Sequence, residues 1–261
     1  PVLGLGTWRL SGPEVTKVVR EAIHMGYTHI DTAEMYGNEK EIGQAIKDIN
    51  REKLFITSKV WYENLAYQSV INACKESIKK LNIGYLDLYL IHWPNPALDM
   101  KETFQALKRL SSEGLIKAVG VSNFTLKHLS HYLPVCQELE LPIVTNQVEF
   151  HPFLFQKSLL EYCRKNNIYL TAYRPIARGD VNNSEVIQQI AQKYQKTPVQ
   201  ITLRWLIQHD IIVIPKASST DHLQENLNIF DFELDQNDVE TIDELNQNNR
   251  MVNPEFADFE D

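Results

Sequence analysis

Four side chains of complementary acid–base character lie at or just after the ends of short apolar runs in the first part of the chain. Asp31, Lys59 and His92 each end or directly follow such a run, and Tyr36 lies five residues after Asp31 on the next loop. An acid, a base, a phenol and an imidazole at the mouth of one pocket can move a proton to or from a carbonyl oxygen. We therefore take these four residues as candidate catalytic groups.

The elements that must position these residues alternate between short apolar runs and stretches of helical period. Such runs are typical of strands that are buried on both faces. Eight strands, each followed by at least one helix, in about 250 residues predict an α/β fold, the (β/α)8 TIM barrel. We expect one domain over residues 1–261. The predicted strands are 2–6, 28–31, 54–58, 86–91, 118–121, 143–147, 169–172 and 211–214, and the predicted helices include 14–25, 66–81, 100–113, 155–166 and 198–208.

A doubly wound sheet is the alternative fold, but it usually carries a GxGxxG turn after its first strand, and the sequence has none there. In a barrel, catalytic groups gather at the C-terminal ends of the strands. The polar or aromatic residues at those predicted ends are Thr7, Trp8, Asp31, Lys59, His92, Ser122, Asn123, Gln147, Tyr173 and Lys216.

Each candidate also has a structural explanation. Asp31 can be a helix N-cap, His92 can be a core histidine, and Tyr36 can belong to a turn before a helix. Lys59 is harder to explain in this way, because lysine is rarely buried unless it is paired. We expect an anion beside Lys59, and Asp31 is the candidate. The barrel brings neighbouring strand ends together, and this favours the catalytic interpretation of all four.

Composition narrows the class of protein. Hydrophobic content of 43% and charged content of 23% suit a globular core. The net charge of −8 disfavours nucleic acid or an anionic membrane as the main partner. No apolar run approaches the roughly 20 residues that span a bilayer, no signal peptide is visible, and no HExxH or CxxC pattern predicts a metal site. Cys74, Cys136 and Cys163 are sparse and odd in number, as in reduced cytosolic proteins. We expect a cytoplasmic monomer.

Six stretches of the chain resemble the aldo-keto reductase superfamily: GLGTWRL, HIDTAEMYGNE, TSKVW, DLYLIHWP, GVSNF and NQVEFHP. They cover nearly the whole sequence in order. The resemblance implies the TIM barrel and an NAD(P)H-dependent reduction of aldehydes or ketones. It also implies a catalytic tetrad of Asp31, Tyr36, Lys59 and His92. Tyr36 would be the general acid, Lys59 would lower its pKa, Asp31 would hold Lys59, and His92 would bond to the carbonyl oxygen.

The same resemblance implies a nicotinamide cofactor site. Tyr173 would stack on the nicotinamide ring, and Ser122, Asn123 and Gln147 would hold its carboxamide. The other implied cofactor contacts are Thr7, Trp8, Asp31, Arg174, Lys216, Ser218, His222, Glu225 and Asn226.

Two segments depart from the family pattern. The segment AYRPI has Arg174 where a small serine usually touches the pyrophosphate, so Arg174 either adds a charged contact or points to solvent. In IPKASSTDHLQEN, Ala217 replaces a serine and His222 replaces an arginine that grips the 2′-phosphate. Because Lys216 remains, we expect NADP(H) as the preferred cofactor, with NAD(H) use left open.

Tryptophans are usually core or interface anchors, but the family pattern puts Trp8, Trp61 and Trp93 on the pocket wall beside His92. The chain most resembles compact bacterial members of the 2,5-diketogluconate reductase type. This resemblance implies small carbonyl substrates, such as methylglyoxal and diketo sugar acids.

Two other functions share these residues. One is a regulatory or binding protein that senses the cofactor on the same barrel with little turnover. The other is a physiological alcohol dehydrogenase, in which the same groups run the reaction in reverse. The intact tetrad favours an enzyme over a sensor, and no residue distinguishes the direction of the reaction.

Overall fold

A computed structural model describes residues 1–259 of the chain. Its eight parallel strands form one sheet in sequence order. The last strand returns to the first, where the N–H of Val213 donates to the carbonyl of Val2 at 2.9 Å and the N–H of Gly6 donates to that of Pro215 at 3.1 Å. This closure makes the sheet a (β/α)8 barrel and confirms the predicted fold. The strands are β1 (Gly4–Gly6), β2 (His29–Asp31), β3 (Phe55–Val60), β4 (Leu86–Ile91), β5 (Ile116–Ser122), β6 (Ile143–Glu149), β7 (Tyr169–Tyr173) and β8 (Ile212–Val213).

Helices surround the barrel and bury their apolar faces against the strands. Helix 198–208 begins as predicted, because the Thr197 hydroxyl accepts from the N–H of Gln200 while the Gln200 side chain accepts from the N–H of Thr197. The helices are α1 (Gly12–His24), α2 (Glu39–Ile46), α3 (Tyr67–Leu81), α4 (Lys101–Ser112), α5 (Leu126–Glu138), α6 (Lys157–Lys165), α7 (Glu185–Tyr194), α8 (Pro198–Gln208), α9 (Thr220–Leu227) and α10 (Gln236–Asp243).

Two predicted strand ends near the pocket fall two residues short of the observed ends, whereas the others agree to within one residue. Strand β3 continues through Lys59 to Val60, and β6 continues past Gln147 to Glu149. The predicted strands are mostly apolar and end in a polar residue, because an unpaired polar group inside a barrel is costly. Both strands go further because Lys59 and Glu149 are buried with hydrogen-bond partners.

The structure also bears on the predicted reduced state of the cysteines and on the search for a membrane-spanning segment. Cys74, Cys136 and Cys163 are buried free thiols. Burial raises the pKa of each thiol to about 12, so they pack as neutral side chains. Within residues 1–259, no helix has both the length and the apolar character to cross a membrane.

Candidate active site

Lys59 lies at the centre of a buried hydrogen-bonded cluster on β3. Its ammonium donates to Asp31 Oδ1 at 2.5 Å, to the carbonyl of Thr32 at 2.9 Å and to the phenol oxygen of Tyr36 at 3.2 Å. The side chains of Lys59 and Asp31 are 0% and 2% exposed. The expected anion beside Lys59 is therefore Asp31, as predicted.

The loop after β2 places Tyr36 over Lys59. Asn38 fixes this loop, since its amide donates to the carbonyls of Thr7 and Leu10 at 3.0 and 2.9 Å and its oxygen accepts from the Thr32 hydroxyl at 2.7 Å. Gly37 adopts φ of 68° between Tyr36 and Asn38, a left-handed conformation that favours glycine. The glycine and asparagine of the YGN sequence thus turn the chain so that the phenol meets the ammonium.

The electrostatics of Tyr36 correct one prediction. Burial raises the pKa of Tyr36, and the Lys59 ammonium offsets only part of that rise. Lys59 thus has the predicted lowering effect, but the pKa of Tyr36 is raised overall, because the phenolate would lose its hydration in this site. Burial alone would lower the pKa of Lys59, but its contacts with Asp31 and Tyr36 raise this pKa above the usual value. The site holds a protonated phenol bonded to a charged ammonium at neutral pH.

His92 is neutral beside this pair. Burial and, to a smaller extent, the charge of Lys59 lower its pKa well below the usual value. Its ring lies 5.6 Å from that of Tyr36 and 5.2 Å from that of Trp61, centroid to centroid. Its Nδ1 atom has no hydrogen-bond partner within the described part of the chain. A neutral imidazole carries one N–H, so His92 can donate one hydrogen bond to a bound molecule.

A chain of side-chain amides continues the cluster across the barrel. The Gln147 amide donates to Asp31 Oδ2 at 2.7 Å, and the Ser122 hydroxyl donates to the carbonyl of Gln147 at 2.8 Å. The Asn123 amide bonds to Ser122 at 3.1 Å, and the Tyr173 hydroxyl donates to Asn123 Oδ1 at 2.7 Å. The residues predicted to hold and stack on the nicotinamide thus form one network with Asp31.

These residues surround a cavity of about 770 Å³ at the C-terminal ends of the strands, a size typical of small-molecule sites. Lys59 and Ser122 are buried behind its wall. Ser218, His222, Glu225 and Asn226 lie outside it, on α9 or just before it. The predicted residues that line the cavity are Thr7, Trp8, Asp31, Tyr36, Trp61, His92, Trp93, Asn123, Gln147, Tyr173, Arg174 and Lys216.

One side of the cavity is cationic. Arg9, Arg174, Arg178 and Lys216 all line it. Burial lowers the pKa of Arg174, and so does the nearby charge of Arg178 and Arg9. Nη1 of Arg174 is buried and has no hydrogen-bond partner among residues 1–259. Nη1 therefore does not face solvent, while Arg174 as a whole is half-buried and lines the cavity, where its charge can attract a phosphate-sized anion. The sequence patterns did not predict Arg9 or Arg178 as residues of the site.

The chain after α10, residues 244–259, forms another side of the cavity, which sequence reasoning missed. Phe256 stacks on Tyr62 with ring centroids 4.2 Å apart and also contacts Trp61 and Trp93 edge-on. Met251 and Val252 line the cavity beside it. The aromatic residues of PEFADF are the signal that a short tail still covers apolar surface.

Residues 2–247 match the model of the Aldo/keto reductase family. The chain belongs to this family. The predicted family membership is confirmed, and with it the assignment of the protein as an oxidoreductase. Members of the family use nicotinamide cofactors generally.

Several relatives of this aldo-keto reductase are named for the reduction of small dicarbonyls. It is 44% identical over 254 residues to glyoxal reductase of Bacillus subtilis strain 168, which covers 96% of this chain and 91% of the relative. It is 39% identical over 256 residues to methylglyoxal reductase DkgA of Escherichia coli strain K12, with coverage of 96% and 91%. A crystal structure with the provisional name 2,5-diketo-D-gluconic acid reductase B matches with a TM-score of 0.95 at 38% identity, covering 100% of this chain and 94% of that one.

The segment IPKASSTDHLQEN, one of the two that depart from the family pattern, contributes Lys216 to the cationic side of the cavity. Lys216 is exposed and lines the cavity, while Ala217 is 1% exposed and supplies no donor from its side chain. Ser219 caps α9, because its hydroxyl accepts from the N–H of His222 at 3.3 Å. The His222 side chain is exposed. Of the charged groups predicted at this end of the cofactor, Lys216 alone among residues 1–259 reaches the cavity wall.

Proposed function

We propose that this protein reduces small aldehydes and ketones to alcohols with NADPH as the preferred reductant. The proposed substrates include 2-oxoaldehydes such as methylglyoxal and diketo sugar acids. One observation carries the proposal: Tyr36 and His92 lie side by side on the cavity wall, and the Tyr36 oxygen accepts a hydrogen bond from the buried Lys59 ammonium at 3.2 Å. Tyr36 can therefore donate a proton, and Lys59 can stabilise the tyrosinate that results.

Four residues have separate roles in the proposed proton transfer: His92, Tyr36, Lys59 and Asp31. Neutral His92 donates a hydrogen bond that orients and polarises the carbonyl oxygen of a bound substrate. When bound, the nicotinamide cofactor supplies a hydride to the carbonyl carbon. Tyr36 gives its phenol proton to the oxygen, and the resulting tyrosinate is stabilised by Lys59, whose charge Asp31 maintains. Solvent then returns a proton to Tyr36.

The residues on the other side of the cavity fit such a cofactor. Tyr173 would support the nicotinamide ring, and the amides of Asn123 and Gln147 would hold its carboxamide. Arg174, on the cationic side of the cavity, would bind the pyrophosphate. Lys216 would bind the 2′-phosphate, and this charge is the reason for preferring NADPH over NADH. Thr7, Trp8, Asp31 and Ser122, together with Ser218, His222, Glu225 and Asn226, complete the proposed set.

Aromatic side chains form the part of the cavity wall where a small carbonyl compound would bind. Trp8, Trp61, Trp93 and Phe256 narrow the cavity from one side, and His92 places the reacting carbonyl close to them. The names of the relatives support dicarbonyl substrates. That the protein is monomeric and cytoplasmic stays a prediction from the sequence.

The experiment is consumption of NADPH and of NADH by the purified protein, followed by absorbance. Methylglyoxal, a diketo sugar acid and an aromatic aldehyde are the substrates, and Tyr36→Phe is the matched control. We expect turnover with the wild type that the variant loses. A wild-type protein that binds NADPH tightly but reduces none of these carbonyls would instead support the cofactor-sensing alternative.

A further inference from the structure

Glu149, the last residue of β6, is a fully buried carboxylate held by the C-terminal tail. Its Oε1 accepts from the N–H of Met251 at 2.9 Å, and its Oε2 accepts from the N–H of Val252 at 2.8 Å. Its third partner is Nε2 of His151, 3.2 Å from Oε1, whose side chain is also fully buried. Two of the three donors to this carboxylate therefore come from one short tail segment.

Gln156 ties the same part of the tail to β6 a second time. Its amide donates to the carbonyl of Glu149 at 2.7 Å, and its oxygen accepts from Arg250 Nη2 at 3.1 Å. Arg250 also lies over the ring of Phe259, 3.9 Å from its centroid. The tail is thus fixed to the barrel at Arg250, directly before Met251.

The residues held by Glu149 are the residues that form the pocket wall. Met251 and Val252 line the cavity, and Phe256 follows them there, whereas Glu149 does not reach it. Glu149 therefore acts on the shape of this wall through the position of the tail, while its charge also reaches Tyr173 and Arg174 on the opposite part of the site.

The charge of Glu149 depends on this contact. Burial alone would raise the pKa of Glu149, but the bonds from His151, Met251 and Val252 lower it below its usual value. If the tail moves away, a buried carboxylate loses two of its donors, which is costly. Docking of the tail and ionisation of Glu149 are therefore coupled.

We propose that Glu149 is a positioning residue that holds tail residues 251–256 as a wall of the substrate pocket and so determines how tightly the substrate is bound. The inference rests on the proposed carbonyl reduction for its kinetic consequence, but not for the docking of the tail itself. Glu149→Gln keeps the shape of the side chain, removes its charge, and points an amide at one of the two backbone donors.

Two measurements test this on Glu149→Gln, with Glu255→Gln as the matched control. Glu255 lies on the same tail and is exposed. Hydrogen–deuterium exchange of residues 250–256 should accelerate by about tenfold or more in Glu149→Gln, because a bond to a charged group is lost. The KM for methylglyoxal should rise by a similar factor, with kcat changed by less than about threefold. Glu255→Gln should behave as the wild type in both measurements.

A purely structural role would lower Tm and leave KM and the exchange of the tail unchanged, and that result overturns the proposal. If Glu149→Gln does not fold, Val252→Pro replaces it, because proline lacks the N–H that Oε2 accepts. Faster exchange at Met251 in Val252→Pro than in Val252→Ala supports the proposal, and equal exchange overturns it. A wild type without carbonyl reduction refutes the proposed function, while the exchange measurement still decides whether Glu149 holds the tail.

Discussion

Asp31 bonds to Lys59 and Gln147 with different oxygens, and so it joins the two halves of the active site. Oδ1 lies 2.5 Å from the Lys59 ammonium, and Oδ2 accepts from the Gln147 amide at 2.7 Å. The first bond belongs to the group that handles the proton, and the second belongs to the amide network proposed to hold the nicotinamide. One buried carboxylate therefore sets the relative position of the proton donor and the cofactor site.

Lys59→Met should reduce carbonyl turnover at neutral pH by about 10²–10⁴-fold, because the tyrosinate loses its stabilising charge. Burial already raises the pKa of Tyr36 and Lys59 opposes that rise, so the variant should raise this pKa further. The protonated phenol is the active form in reduction. The alkaline fall of kcat/KM should therefore move to higher pH in the variant, as measured in a pH–rate profile.

The matched control for this change is Lys53→Met, at an exposed lysine just before β3. It should keep both the rate and the pH profile. An alkaline limb at the same pH in Lys59→Met and the wild type, with chemistry limiting the rate, would show that Lys59 does not tune Tyr36. In Lys59→Met, the free energy of unfolding should also fall by about 3–5 kcal/mol, since Asp31 stays buried without its cation.

Tyr36→Phe should lower kcat at least about a hundredfold, because it removes the proton donor and keeps the ring. Binding of NADPH should change little, since the ring contacts with Trp8 and His92 remain available. Steady-state kinetics and quenching of tryptophan fluorescence separate the two effects. Near-native turnover in this variant would refute the role of Tyr36.

The barrel and the four candidate catalytic residues could be predicted from sequence because both depend on burial. Strands covered on both faces read as apolar runs, as in β4, where all six residues are buried. Polar residues at or near the ends of such runs then stand out, and closure of the barrel brings them together. Helix α5 was harder to predict, since Pro134 lies inside it and proline normally marks the end of a helix.

The direction of the Tyr36 pKa and the wall formed by the tail could not be predicted. The first depends on whether desolvation exceeds the effect of a nearby charge, and sequence gives the charge but not the degree of burial. The second depends on the stacking of Phe256 on Tyr62, a contact between distant parts of the chain with no local pattern. The role of Glu149 could not be predicted for the same reason, because its partners in the tail are backbone groups far along the sequence.

Arg51→Ala should lower the free energy of unfolding by about 1–3 kcal/mol without changing kcat or KM. Arg51 lies at the end of the barrel away from the pocket and donates to Asp87 Oδ2 at 2.5 Å and to the carbonyls of Leu54 and Tyr85 at 2.8 and 2.9 Å. Calorimetry should show Tm lower by roughly 2–10 °C. Asp87 also accepts from the N–H of Ile56 at 2.9 Å and lies 3.8 Å from the ammonium of Lys117, and an unchanged Tm would mean that these contacts suffice to hold it.

His29 should weaken the protein in mild acid. Burial lowers its pKa to about 3 from an unfolded value of 6.5, so below pH 6.5 the unfolded chain takes up a proton that the folded protein refuses. From pH 7.5 to pH 5 this costs about 2 kcal/mol of unfolding free energy. Urea unfolding at both pH values should show a smaller loss in His29→Gln. The exposed His24→Gln should keep the wild-type loss, and an equal loss in both variants would contradict the assignment to His29.

His222 and Lys216 should determine the choice between NADPH and NADH. Lys216 lines the cavity, whereas the exposed His222 stands where the family pattern has an arginine. A charge-assisted bond contributes about 1.5–3 kcal/mol, or roughly one to two decades in Kd. His222→Arg should therefore tighten NADPH by about that factor and leave NADH nearly unchanged. Lys216→Ala should weaken NADPH far more than NADH, with both Kd values measured by quenching of tryptophan fluorescence. Equal effects on the two cofactors would show that this segment does not recognise the 2′-phosphate, and Arg174→Ser would then be the next variant to measure.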